Sequence, residues 1–311
     1  MLKERADLRT LAFIAWFFAL IAFGYTQELS WKTTPILTVF ISLQSFFCAV
    51  ITHNTIHAPM FKQKGLNRAM QVILTVCYGH PVSMYVPGHN LSHHRFTQTR
   101  RDVMRTTKAR FKWNLLNQLF FGWVVGPSIF KANMTYAKAM RTDRPGWYRQ
   151  LWVEIVFFVA FLGLLLLLDW QKFFFYVIIP HQYAAWGIMG INFAQHDGAD
   201  GTSEYNHSRN FTGRLVNWFT FNNGFHGIHH MFPSLHWSKA PAVHAEKLHP
   251  FIDPRLEEAN FLRYLIRAYI WPGDRVRFDG TPFNPEPAGE DEAWFKAAET
   301  FDPADLGAVT Q

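Results

Sequence analysis

Cysteine is scarce in this chain, and formal charge is absent from several long stretches. The 311 residues include only Cys48 and Cys77, and each lies inside an apolar run. Two such residues exclude a disulfide framework or a thiolate metal site as the basis of the fold, so we expect both to be buried structural thiols. Hydrophobic residues make up 49% of the chain and aromatic residues 17%. That aromatic content is high for a soluble enzyme and ordinary for a protein that contacts lipid.

Four stretches are long and apolar enough to cross a bilayer as helices. The hydrocarbon core is about 30 Å thick, and a helix needs about 20 apolar residues to span it. The predicted spans cover residues 10–27, 33–52, 151–168 and 173–195. Glu154 is the one acid within them, and His181 lies inside the fourth. We therefore predict an all-α integral membrane protein with four transmembrane helices in two hairpins. Buried core helices of a large soluble protein are the alternative.

The distribution of basic residues predicts the orientation of these helices. Lysine and arginine collect in cytoplasmic loops close to the spans. Of the 30 lysine and arginine residues, 28 lie on one side of the predicted spans, and Lys32 and Lys172 lie on the other. Both termini and the loop between the second and third spans are therefore predicted to be cytosolic. We expect residues 1–270 to form the membrane domain and residues 271–311 to be a peripheral, partly disordered tail.

Fifteen histidines are present, and eight of them fall into three short motifs. The motifs are His53-Asn-Thr-Ile-His57, His89-Asn-Leu-Ser-His93-His94 and His226-Gly-Ile-His229-His230. Two histidines four residues apart lie on one face of a helix and can bind one metal ion together. The second histidine of an adjacent pair points about 100° further round the helix, so it can reach a second ion. Eight imidazoles exceed what one ion uses and are enough for two.

The predicted topology brings the three motifs to the same side of the membrane. Two spans separate the second motif from the third, so the chain is cytosolic again before His226. A single HxxxH pattern is weak evidence for a metal site, whereas three such motifs beside span ends are strong evidence. We predict a metal site on a cytosolic helical cap. Imidazole binds zinc, copper, nickel and iron alike, so the ligands alone leave the metal open.

The order HxxxH, HxxxHH, HxxHH, with its arrangement of spans, resembles the membrane fatty acid desaturase superfamily of histidine-box di-iron desaturases and hydroxylases. The resemblance covers roughly residues 30–250. It implies that all eight motif histidines are metal ligands and that His196, in Asn192-Phe-Ala-Gln-His196, is the ninth. It also implies that Asn192 holds one ion through a water molecule. The implied cofactors are two iron ions, Fe2+ or Fe3+, with O2 as the co-substrate.

The same resemblance implies that electrons come from a separate protein. No fused electron-donor domain and no His-Pro-Gly-Gly haem motif is visible in the sequence. A ferredoxin, a rubredoxin or a b-type cytochrome is the implied donor. No residue beyond the metal ligands is predicted to be catalytic. Asp197 is a candidate to orient a ligand imidazole, as carboxylates commonly do. His181, an ionisable group inside a span, is a candidate to support the ligands or to line a substrate channel.

A lipid desaturase that places a double bond in a fatty acyl chain is the leading hypothesis. A hydroxylase or ketolase acting on a fatty acyl, alkane, sterol or carotenoid substrate is the alternative, and no sequence feature separates the two outcomes. A membrane metal transporter or sensor is a more distant alternative, because the histidines cluster at span ends rather than at mid-span. The basic residues follow the topology, so no nucleic-acid partner is predicted. The expected partners are the membrane, a lipid or fatty acyl substrate and the electron donor.

Overall fold

The computed structural model describes residues 1–285, 287 and 289–295, and within these residues the protein is mostly helical. Its α-helices are α1 (Asp7–Thr26), α2 (Thr33–His57), α3 (Lys64–Tyr78), α4 (Asn114–Asp143), α5 (Pro145–Leu168), α6 (Trp170–Phe173), α7 (Ile179–His196), α8 (Arg214–Phe219), α9 (His226–Met231), α10 (Ala240–Lys247) and α11 (Phe261–Leu265). The π-helical turns are Pro87–His94, Phe174–Ile178 and Ile266–Ile270. In the described part, β-structure is confined to two short strands that pair in parallel, β1 (Asn210–Phe211) and β2 (Glu257–Glu258), with isolated bridges elsewhere. The helical class predicted from the sequence is confirmed.

The chain divides into two compact units. Among the described residues, unit 1 contains Met1–Val86 and Ala139–Ile188, and unit 2 contains Pro87–Lys138 and the residues from Met189 onward. Within the predicted tail, residues 286, 288 and 296–311 lie outside the described residues. The domain boundary at residue 270 and the partial disorder of the tail stay predictions.

Within the described part of the chain, three helices of unit 1, α1, α2 and α5, are long and apolar enough to cross a membrane. They correspond to the first three predicted spans, and each of them extends beyond the predicted stretch at one end. Helix α2 continues to His57, so it includes the first histidine motif. Helix α5 begins at Pro145, whose fixed φ angle suits the first helical turn. Cys48 and Cys77 are buried free thiols in this unit, as expected.

The fourth predicted span is helical, but it is not one uninterrupted α-helix. Helix α6 ends at Phe173, the next five residues form a π-helical turn, and α7 runs from Ile179 to His196. None of these segments belongs to the set of described helices that are long and apolar enough to span a membrane. The structure therefore supports three spans, and the fourth span with its two-hairpin topology stays a prediction.

Buried polar side chains in unit 1 tie α3 and the turn after it to other helices. Glu154 of α5 accepts hydrogen bonds from the backbone N–H and the hydroxyl of Ser83, both at 2.8 Å. His181 of α7 donates its Nε2–H to the carbonyl of Val76 at 3.0 Å. An unpaired polar group is costly in an apolar interior, so each of these contacts stabilises the packing. The described contacts of His181 are packing contacts, and its predicted support of a metal site stays a prediction.

Among the described residues of unit 2, two small hydrophobic cores pack the short helices together. The first core joins Phe121 of α4, Phe193 of α7, Phe211 of β1 and Tyr264 of α11. The second joins Ile228 of α9, Leu248 and Leu256. Strand β2 directly follows Leu256 and pairs with β1, so the strand pair connects the two cores. In addition, Gln195 of α7 donates its side-chain N–H to the carbonyl of Asn223 at 2.8 Å, which holds the start of α9 near the end of α7.

Candidate metal centre

Four histidines of unit 2 bring their Nε2 atoms together. His93 comes from the π-helical turn Pro87–His94, His196 is the last residue of α7, and His226 and His230 lie one turn apart on α9. The Nε2 atom of His196 lies 3.1 Å from that of His93, 2.9 Å from that of His226 and 3.1 Å from that of His230. The ligand atoms of all four lie within 4.8 Å of one another. These residues are called the four-histidine group.

Protons alone do not account for this arrangement. The Nδ1 atom of His196 lies 3.1 Å from the carbonyl oxygen of His207. A carbonyl only accepts hydrogen bonds, so Nδ1 carries the proton and Nε2 of the neutral ring offers a single lone pair. Three other Nε2 atoms surround that lone pair, and one hydrogen bond at most can use it. Lone pairs that face one another repel. A cation placed among the four nitrogens would remove this repulsion, because each nitrogen could bind it.

The spacing of the nitrogens also suits a metal ion. A bond from a metal ion such as zinc to imidazole is about 2.0–2.1 Å long, so ligand nitrogens at right angles around one ion lie about 3 Å apart. The three separations measured from His196, 2.9 Å and twice 3.1 Å, agree with that value. The donors in this group are imidazole nitrogens only, which fits iron, zinc, copper or nickel.

A second group of histidines in unit 2 contains His89, His94 and His229. The Nε2 atom of His94 lies 3.1 Å from those of His89 and His229. The spacing of the second motif predicted an α-helix, in which His89 and His93 would share one ion. The structure differs because the motif is π-helical, with backbone hydrogen bonds between residues five apart, and Nε2 of His89 lies beside that of His94. His94 therefore joins His89, and His93 points to the four-histidine group.

The third motif follows the α-helical expectation. His226 and His230, four residues apart on α9, both belong to the four-histidine group. His229 points to the second group instead. A six-residue helix thus supplies imidazoles to both groups, as the HxxHH spacing predicts.

The first motif lies in unit 1, at the end of α2. His53 and His57 are both buried, and their ring centroids are 5.8 Å apart, as expected for neighbours on one helix face. Their place in the ligand set stays a prediction from the sequence.

Burial keeps imidazoles of unit 2 neutral, which is the form that binds metals. Burial lowers the pKa of His230 well below its ordinary value, and the neighbouring His226 and His196 lower it further. Burial likewise lowers the pKa of His207 to about 4, with a smaller contribution from His93. These rings therefore stay uncharged at neutral pH.

A carboxylate that the sequence analysis missed supports His93. Asp102 is fully buried, and its Oδ2 accepts a hydrogen bond from Nδ1 of His93 at 2.9 Å. The same oxygen accepts the backbone N–H of Gln98 at 2.9 Å, and Oδ1 accepts that of Met104 at 2.8 Å. Three N–H donors thus fix the carboxylate, which fixes in turn the tautomer and orientation of the His93 ring. Sequence position gives little indication of this contact with His93, because Asp102 stands eight residues after the second motif in an arginine-rich loop.

Asp197, the acid that the sequence suggested for orienting a ligand imidazole, makes an ion pair with Arg275. Its carboxylate accepts hydrogen bonds from Nε of Arg275 at 3.0 and 3.1 Å. Burial raises the pKa of Asp197, and Arg275 acts in the opposite direction. Arg275 also donates to the carbonyl oxygens of Thr106 and Ala109, at 3.0 and 2.6 Å. Asp197 thus joins the end of α7 to the loop after Asp102, and its predicted contact with a ligand imidazole stays a prediction.

Asn192 lies one turn before His196 on α7. Its side chain is buried, and Nδ2 has no hydrogen-bond partner among the described residues. A buried amide without a partner is costly, so a partner such as a bound water fits this position. The predicted water-mediated contact of Asn192 with an ion stays a prediction.

A third cluster of possible ligands needs no metal ion to explain it. Glu257 accepts hydrogen bonds from Nε2 of His244 at 2.6 Å and from Nδ1 of His249 at 2.7 Å. A carboxylate between two N–H donors is a satisfied arrangement. This cluster therefore differs from the four-histidine group, where lone pairs face one another.

Comparison with known proteins agrees with the chemistry of the site. The sequence model of the fatty acid desaturase family matches residues 29–258, which is more than half of the chain and includes every histidine of the three motifs. No curated protein and no solved structure matches the chain. The chain belongs to the fatty acid desaturase family. Together with the three apolar helices, this membership indicates a membrane oxidoreductase of the desaturase and hydroxylase type that acts on a lipid.

Proposed function

We propose that this member of the fatty acid desaturase family is an O2-dependent di-iron lipid desaturase. It introduces a double bond into a fatty acyl chain and uses electrons from an external donor such as a ferredoxin, a rubredoxin or a b-type cytochrome. The observation that carries the proposal is the convergence of three imidazole nitrogens on Nε2 of His196, whose one lone pair faces them at 2.9 to 3.1 Å.

The proposed ligands are the nine histidines named from the sequence, with Asn192 contributing through a water. The four-histidine group would hold one ion. His89, His94 and His229 would hold the other, together with His53 and His57. Two groups of imidazoles in a chain of this family support a di-iron centre rather than a single ion.

When bound, the two irons would supply the O2-dependent removal of hydrogen from an unactivated C–H bond. The chain's own contribution is to hold the ligands in the right form. Burial keeps His230 neutral, Asp102 keeps the proton of His93 on Nδ1, and the His207 carbonyl does the same for His196. The near-complete burial of His93, His196 and His226 excludes bulk water from that side of the site.

The proposed topology has four spans, with both termini and the metal centre on the cytosolic side. The distribution of lysine and arginine supports this orientation, since 28 of the 30 fall on one side of the predicted spans. On that side, a soluble electron donor would reach the centre directly.

Expression in a host with a simple lipid profile tests the function. Total lipids would be compared by mass spectrometry for the parent chain, for one variant in each histidine group, His93→Ala and His229→Ala, and for His249→Gln. His249 is an exposed histidine bonded to Glu257, so its variant is the matched control. We expect a lipid two hydrogens lighter with the parent and the control, and none with the two alanine variants.

Metal analysis of the purified proteins separates the remaining outcomes. A lipid one oxygen heavier, with iron in the protein, would replace desaturation by hydroxylation. An unchanged lipid profile with zinc or no metal bound to the parent would contradict the proposal. Two irons in the parent and fewer in both alanine variants would support the ligand set independently of activity.

A further inference from the structure

The last helical segment of unit 2 has one buried face and one exposed apolar face. Helix α11 and the π-helical turn Ile266–Ile270 that follows it bury Tyr264 and Tyr269 in the first core. The opposite face exposes Leu262, Ile266 and Ile270, which are spaced four residues apart, and Trp271 follows directly. Leu262 is 65% exposed and Trp271 is 80% exposed. Such a row of large apolar side chains is unusual on a surface that faces only water.

This apolar row is combined with positive charge. Asn260, Leu262, Arg263, Ile266, Arg267 and Trp271 line an open groove of about 500 Å³. Arg263 and Arg267 lie among the apolar side chains, and both are exposed. Arg267 makes an ion pair with Glu258, so its guanidinium is held at the rim of the groove. A groove with arginines beside leucine, isoleucine and tryptophan suits a ligand that has an anionic head and an apolar body.

The apolar surface continues onto the start of α4. The side-chain N–H of Asn114 donates to the carbonyl of Ala268 at 3.0 Å, which joins α4 to the π-helical turn. A Cβ atom placed on Gly273 would lie 3.1 Å from Nε1 of Trp113, so this indole lies against the chain just after Trp271. Trp113 is partly exposed, and Trp123, further along α4, is 68% exposed.

Basic residues flank this end of the surface as well. Arg110 and Lys112 lie within the three residues before Trp113 and are exposed. Tryptophan beside arginine and lysine is the composition of segments that lie at the boundary between lipid head groups and acyl chains. The segment from Phe261 to Ile270 is ten residues long, about half of what a span needs, so it is too short to cross a bilayer.

We propose that this face of unit 2, formed by α11, the following π-helical turn and the start of α4, rests on an anionic bilayer surface, with the phosphate of a lipid head group between Arg263 and Arg267. In this arrangement the apolar side chains enter the lipid interface. The arginine side chains lie beside them and reach the lipid phosphates. An acidic protein is the other kind of partner that arginines attract. The exposed row from Leu262 to Trp271 favours lipid. Its aliphatic and indole side chains can pack against acyl chains, whereas they offer few contacts to an acidic protein surface. The proposal is independent of the metal centre.

The depth of a fluorescent label in the full-length protein tests the proposal. Ile266→Cys would be labelled with an environment-sensitive dye in nanodiscs, once with neutral lipids and once with added phosphatidylglycerol. Ala245→Cys, at an exposed position on α10 outside this face, is the matched control. The unsubstituted protein measures background labelling of its two buried cysteines.

We expect the label at residue 266 to emit at shorter wavelength, to be quenched by spin-labelled lipids and to be protected from iodide. The label at residue 245 should be quenched by iodide. Equal iodide quenching at both positions in both kinds of nanodisc would overturn the proposal and leave an acidic protein as the partner to examine.

Retention of lipid by the purified protein tests the head-group site separately. An arginine near an anionic membrane surface contributes about 1 kcal/mol, or roughly fivefold in affinity. The Arg263→Gln/Arg267→Gln pair should therefore retain several-fold less phosphatidylglycerol in native mass spectrometry than the parent does. Arg277→Gln, an exposed arginine outside the groove, should retain the parent amount. Equal retention by the double variant would refute the phosphate contact.

Discussion

Replacing Asp102 by asparagine would remove the negative charge that His93 contacts while keeping the size of the side chain. The carboxylate accepts three N–H groups, from His93, Gln98 and Met104, at 2.8 to 2.9 Å. Asparagine has one acceptor oxygen, and its NH2 group would face at least one of these donors. The imidazole of His93 would lose both its fixed orientation and the charge that raises the basicity of Nε2.

The size of the effect follows from the role of such partners. Substituting the hydrogen-bond partner of a metal-binding histidine typically weakens metal binding about 10–100-fold. Because Asp102 is fully buried and its contact with Nδ1 is 2.9 Å, we expect Asp102→Asn to fall in this range. That range corresponds to about 1.4–2.7 kcal/mol of binding free energy.

Competition with a chelator measures this loss directly. Iron or cobalt would be titrated into metal-free protein, with the thermal stability of the metal-free form recorded for each variant. Asp279→Asn is the control, because Asp279 caps an exposed turn through Thr281. Asp102→Asn should bind metal more weakly than the parent even after the loss of stability of the metal-free form is subtracted, since the buried backbone donors also lose an acceptor. The expected loss of metal affinity is about 10–100-fold. A metal affinity within about twofold of the parent value would refute the argument that Asp102 orients His93.

Two further substitutions test contacts around the site. Asp197→Asn leaves Arg275 without its buried carboxylate, so the free energy of unfolding should fall by about 3–5 kcal/mol in chemical denaturation; an unchanged midpoint would show that the carbonyl contacts of Arg275 suffice. Asp291→Asn removes a carboxylate that binds Lys108 at 2.8 Å and pairs with the buried Arg105. Amide exchange of residues 98–108 should then become faster by mass spectrometry, and exchange at the parent rate would contradict a holding role for Asp291.

The spans of unit 1 were predictable because long uncharged stretches leave few alternatives to apolar helices. The residues at which these helices begin and end were not predictable, since a helix can continue through residues that are not apolar. Helix α2 thus runs beyond residue 52 to His57, and α5 begins at Pro145 rather than at residue 151. The fourth stretch shows the limit of composition, because the π-helical turn Phe174–Ile178 interrupts its regular hydrogen bonding.

The histidine motifs were predictable because their spacing is local, whereas the residues that support them are distant in sequence. Asp102 reaches His93 only because the intervening loop turns back, through contacts such as the Ser92 hydroxyl with the Arg101 carbonyl at 2.8 Å. Asp197 stands beside His196 in sequence, yet the carboxylate is bound by Arg275, a residue 78 positions later. Nearness in sequence therefore did not reveal the buried carboxylate that contacts His93.

The division of the histidines between two groups depends on the backbone of a single motif, and this is open to test. In an α-helix, His89 and His93 would share an ion, whereas the π-helical turn pairs His89 with His94. Replacing His89 and His94 together by alanine should then abolish metal binding by the second group and leave an ion bound to the four-histidine group. Replacing His89 and His93 by alanine should weaken metal binding by both groups. The metal content per chain of the two double variants distinguishes these results. If the His89→Ala/His93→Ala protein keeps one full ion while the His89→Ala/His94→Ala protein keeps neither, the α-helical pairing is correct and the π-helical assignment is wrong.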